Sequence, residues 1–156
     1  MGDFEASNAA IQARGWGAVA PGDYPALVSI MARSRLSEQH TPHHTETYAR
    51  PDMPASFIVL VDFTFQNRRF LICHLYTTDA EAPTPQEELE ELLGGAPTRV
   101  DSNRTLLIWA PAPRLPEALG VQYTFSPPTT NGVGEHLRLS SASRGAALSG
   151  DKENSK

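Results

Sequence analysis

Residues 56–65 read Ser-Phe-Ile-Val-Leu-Val-Asp-Phe-Thr-Phe, and after the polar break Gln66-Asn67-Arg68 the chain returns over 69–77 as Arg-Phe-Leu-Ile-Cys-His-Leu-Tyr-Thr. No other stretch restricts the fold as strongly. Phe57, Val59, Val61, Phe63 and Phe65 alternate with period two, and Ile58 and Leu60 make the first half apolar on both faces. A strand apolar on both faces is stable only where both are covered. Two such runs joined by a short polar turn predict a β-hairpin.

The flanking segments supply the rest of the architecture. Asn8 reads as the cap of a short helix through Arg14, ended by Gly15-Trp16-Gly17. Asp23 reads as the N-cap of a second helix with Pro25 in its first turn, burying Leu27, Ile30 and Met31 and running to about Ser37. Pro42, Pro51 and Pro54 argue against any regular element over 38–55. Thr84-Pro85-Gln86-Glu87 has the form of a capping box with Pro at the first helical position. The helix it opens carries an apolar stripe of Leu89, Leu92 and Leu93 and stops at Gly94-Gly95.

Short strands follow at 99–100, 104–109, 121–125 and 136–140, with a long turn over 126–134. Consecutive strands with short links are antiparallel, and helices before and within the series make an α+β fold. The expectation is a mainly antiparallel sheet of about five or six strands with two or three helices. It forms a single α+β domain over 1–141, with 142–156 as a disordered tail.

Composition excludes several classes of function. The formal net charge is -5, and no basic run exceeds Arg68-Arg69, so nucleic-acid binding is not expected. No apolar stretch is long enough to span a membrane. The acidic start Met1-Gly2-Asp3-Phe4-Glu5 lacks the apolar core of a secretory signal, and Ala6 stands where myristoylation needs Ser or Thr. A cytoplasmic or nuclear location is the expectation. Cys73 is the one cysteine, which excludes an intrachain disulfide and a cysteine-based zinc site. The only lysines are Lys152 and Lys156, so 1–151 offers no Schiff-base or phosphate-loop lysine. No glycine-rich phosphate loop or nucleophile elbow is present, and no cofactor is expected.

The chemistry-bearing residues are few. His40, His43 and His44, with Glu46 following, are the candidate metal ligands, though Pro42 prevents the helical spacing of a zincin. Cys73 and His74 are neighbours on a strand and point to opposite faces, so they do not form a nucleophile–base pair. Asp62, inside an apolar strand, needs a partner, and Arg68, Arg69 or Arg104 can provide one. Lys152-Glu153-Asn154 resembles the KEN-box degron of eukaryotic cell-cycle substrates, and it lies in the segment read as disordered.

Without a catalytic set or a cofactor fingerprint, the reading is a non-enzymatic protein-interaction module. It would be an adaptor or a subunit of a larger complex, binding partner proteins or a second copy through a sheet edge or an apolar face. Phe63, Phe65, Tyr76 and Trp109 are the candidate partner-binding residues. Three alternatives stand beside it. One is an acidic chaperone-like homodimer that binds an extended segment. Another is a small enzyme using His40, His43, His44 and His136. The last is nucleic-acid stacking on Phe63, Phe65, Phe70 and Tyr76.

Overall fold

The structure, a computed structural model, describes residues 2–33, 39–78, 84–101, 106–110, 112–115, 120–126 and 137–147. The chain is α+β with antiparallel sheet, as the strand and helix patterns predict. It divides into two compact units where the sequence suggests one domain over 1–141. One unit runs to Cys73 and takes in the end of the last strand from Gly145; the other spans His74–Arg144. Among the described residues no helix is long and apolar enough to cross a membrane.

In the first unit, helix α1 spans Gly2–Ala13 and helix α2 spans Pro25–Arg33. The strands are β1 (Gly17–Ala18), β2 (Thr41–Ala49), β3 (Ser56–Phe65) and β4, which begins at Arg68 and reaches Thr77 in the second unit. The sheet order is β1-β2-β3-β4. Gln66 and Asn67 both take positive φ, 49° and 59°, the two-residue turn whose twist suits a hairpin. Strand β3 is the central member and is buried along most of its length, as its two apolar faces require. Phe4, Trp16, Tyr48, Ile58 and Leu60 form the core here, with Ile11, Leu71 and Cys73 packed against it.

Three local expectations are corrected. Asn8 does not cap α1, which starts at Gly2. It lies mid-helix between Phe4 and Ile11, on the face these residues share at spacings of four and three. The helix stops at Gly15, whose φ of 90° suits a residue without a Cβ. Asp23 does not cap α2 either: it ends a 3-10 turn over Pro21–Asp23, and the Tyr24 carbonyl accepts the first helical bond, from Val28 N–H at 3.1 Å. Most consequentially, residues 41–49 are a strand. Thr45, Thr47 and Tyr48 supply β propensity, and pairing with β3 buries Thr47 and Tyr48.

In the second unit, helix α3 spans Gln86–Leu93. The strands β5 (Arg99–Val100), β6 (Leu106–Trp109), β7 (Gly120–Ser126) and β8 (Leu137–Ala147) are arranged β8-β7-β6-β5. The pairs β5–β6, β6–β7 and β7–β8 are antiparallel. Leu89 and Leu93 pack on Leu107, Trp109, Ala112, Val121 and Tyr123, but Leu92 is 68% exposed and does not belong to the stripe. The expected capping box is absent. Pro85 is the N-cap, and the backbone N–H of Thr84 is taken by the Tyr123 hydroxyl at 2.6 Å. That bond holds Thr84 outside the helix, so Glu87 has no cap to complete. Strand β8 runs to Ala147, beyond the expected end near Ser140, so 142–147 are strand rather than tail. Lys152, Glu153, Asn154 and His136 lie outside the described residues.

Candidate functional site

The residues that carry chemistry meet on β2 and its neighbours. Strand β1 covers β2 only at its far end: Gly17 lies opposite Ala49 and Ala18 opposite Tyr48, and Val19 N–H donates to the Thr47 carbonyl at 2.9 Å. Beyond Thr47, among the described residues, 41–46 has a strand on one side only, β3. Since Thr47 turns its carbonyl toward β1, Thr45 turns its own backbone polar groups the same way, and no strand among the described residues meets them. Thr41, Pro42, His43, His44 and Thr45 are exposed. Pro42 is tolerated here because an edge position asks for no amide donor.

A β-bulge lies between Pro42 and His44, leaving His43 as the extra residue. The three histidines expected to share a metal are therefore divided. The His40 ring stacks on Phe65 at 4.6 Å and tilts against Phe63 at 5.1 Å. The His44 ring stacks on Phe4 of α1 at 4.6 Å, on the opposite face of the sheet. The His43 Nε2 is 2.6 Å from Thr64 Oγ1. Among the described residues no group of three His, Cys, Asp or Glu side chains is placed to hold a metal ion.

His44 is the register partner of Asp62. Asp62 is buried, and Arg69 meets it with two nitrogens: Nε donates to Oδ1 at 2.8 Å and Nη2 to Oδ2 at 2.6 Å. These bonds to Arg69 hold the Asp62 carboxyl below its usual range, with a further contribution from the charge on nearby His43. Of the three arginines the sequence offers, the fold selects Arg69. The pair occupies both carboxylate oxygens, which leaves Asp62 poorly placed as a general base. Tyr48, fully buried, donates its hydroxyl to Asn8 Oδ1 at 2.7 Å. Burial, then the charge of Glu46, pushes its hydroxyl up to about 12. Cys73 packs against the core of the first unit, and burial raises its thiol, so it behaves as a small apolar residue.

The expected partner-binding aromatics are differently placed. Phe63, Tyr76 and Trp109 are buried, at 5%, 3% and 0% exposure, and only Phe65 keeps part of its surface. Trp109 Nε1 donates to the Gly95 carbonyl at 2.7 Å, which locks the ring into its core. Phe63 and Phe70 stack at 5.5 Å. The available surface is instead the backbone edge of β2, which the prolines conceal from a sequence reading. Its one legible signal is the run Thr45, Thr47 and Tyr48.

No protein-family model, curated protein or solved structure matches the chain.

Proposed function

We infer that the chain is a non-enzymatic protein-interaction module that takes a short extended segment of a partner protein along the open edge of β2. One observation carries this reading: over 41–46, among the described residues, an exposed strand is paired on one side only. An unpaired edge is a template for strand addition, in which backbone bonds supply affinity and register. Pro42 and the bulge withdraw regular donors from one end, and β1 closes the other at Thr47. A docked segment is therefore short, centred on Thr45, and its register is set by those two stops. His40, His43, His44, Asp62 and Cys73 favour this reading over catalysis, because each has a packing or pairing role.

The experiment is a selection of displayed random peptides on the full chain, followed by hydrogen exchange of the bound complex. Thr45→Pro removes the outward donor without breaking a bond to β3, and circular dichroism checks that it folds. The expected result is enrichment of peptides that protect the Thr45 amide and fail to bind Thr45→Pro. Binding that is indifferent to Thr45→Pro, or light scattering that shows a second copy already on this edge, overturns the reading.

A further inference from the structure

The chain leaves β2 at Ala49 and makes two successive turns before β3. Met53 N–H donates to the Arg50 carbonyl at 3.0 Å, and Ser56 N–H donates to the Met53 carbonyl at 3.0 Å. Pro51 and Pro54 each hold the second position of a turn, where a preset φ stiffens the chain. This rigid segment lines a cavity of about 390 Å³. Tyr24 and Phe57 contribute aromatic surface and meet edge to face at 5.6 Å. Met53, 40% exposed, adds a thioether that adapts to irregular shapes. Gly15 and Gly17 offer backbone alone, and a Cβ at Gly15 would lie 3.6 Å from Arg50 Nε.

Arg50 is the charged group of the cavity. Its Nε bonds Asp52 Oδ1 at 2.7 Å, and among the described residues no hydrogen bond engages its two terminal nitrogens. A guanidinium holds five donors in a planar fork, and its terminal pair matches the spacing of a carboxylate. The cavity thus joins a mainly apolar lining to one charged side chain. Its volume lies near the small end of the range for ligand sites, roughly 300–1,000 Å³. That size suits a single ring with a short acidic arm.

We propose that this cavity binds a small free acid with a flat apolar body. The ring lies against Tyr24, Phe57 and Met53, and the carboxylate bonds the two terminal nitrogens of Arg50. The site is separate from the open stretch 41–46 of β2, so neither reading depends on the other.

The test is a titration of the full chain with 3-phenylpropionate, followed by backbone amide NMR. 3-Phenylpropanamide serves as the neutral control. The expected result is saturable shifts at Gly15, Gly17, Ala49 and Met53, with the amide binding about tenfold more weakly than the acid for want of a charge-assisted pair. Arg50→Gln brings acid and amide to equal affinity, and Gly17→Leu blocks both. The Arg50–Asp52 pair is largely in contact with solvent, with side chains 35% and 61% exposed, so Arg50→Gln retains the fold. Absence of saturable shifts at millimolar acid, or equal binding of acid and amide by the unaltered chain, overturns the proposal. So does tighter binding of a short glycine peptide ending in phenylalanine, which would assign the cavity to a chain terminus.

Discussion

Asp62 illustrates how one residue constrains its neighbours. A carboxylate in a buried strand is stable only when its lone pairs are satisfied. The turn at Gln66-Asn67 and the stack of Phe63 on Phe70 set Thr64 opposite Arg69, which makes Asp62 the diagonal neighbour of Arg69 on the same face. Arg68, one residue earlier, points to the other face. The need for an arginine was therefore legible in the sequence, but its identity depended on turn length and register. Removing the guanidinium leaves a buried charge alone. Arg69→Ala is expected to destabilise the fold by ~2 kcal/mol, less than the ~3–5 for a fully buried pair because Arg69 keeps contact with water. Replacing both residues by leucine is expected to cost less than Arg69→Ala alone. Urea unfolding of the three variants measures both effects.

At the scale of elements, capping and edges mattered more than propensity. The Gly94-Gly95 stop was legible, because only a residue at ease with positive φ ends a helix this way. Gly94 has φ 89° and donates its N–H to the Glu90 carbonyl at 2.8 Å. A Cβ there would lie 2.8 Å from Arg114 Cγ and 3.3 Å from Arg114 N. Gly94→Ala is accordingly expected to destabilise by about 2 kcal/mol, from left-handed strain and displacement of the 112–115 segment. Thermal unfolding checks this, and Glu91→Ala on the exposed face of α3 provides a near-neutral reference. The opposite end of α3 departs from its capping-box pattern because Thr84 bonds Tyr123, a residue 39 positions away. Strand β2 is hidden in the sequence for a related reason. Prolines exclude a central strand but not an edge, and position within a sheet is not a local property.

For the whole molecule, pH acts on titratable groups in both units. Burial lowers His74 from 6.5 to about 4, so the fold prefers the neutral ring. Its contribution is present above pH 6.5 and is lost as the pH falls toward 4. Asp62, held below its ordinary value, adds a loss at still lower pH. Tyr48 is raised from 10.0 to about 12, so its contribution is present below pH 10 and is lost as the pH climbs toward 12. The Cys73 thiol, raised by burial from 9.0, begins the alkaline loss earlier, so stability is expected to be level between about 6.5 and 9 and to fall on both sides. Urea midpoints across pH test this: His74→Gln should flatten the decline between 6.5 and 4, and Tyr48→Phe the decline between 10 and 12.

What the sequence determined alone was set by local periodicity and backbone chemistry. The 56–77 hairpin, the apolar spacing of α2, the left-handed stop of α3 and the antiparallel α+β class all follow from residues within a few positions of one another. Tertiary structure decided which aromatics are core and which strand is an edge. It turned Phe63, Tyr76 and Trp109 inward, divided His40 from His44, and brought Arg50 to the cavity lined by Tyr24 and Phe57. These outcomes depend on sheet order, a bulge and contacts between distant segments. Burial and convergence are properties of the packed chain, and no window of sequence contains them.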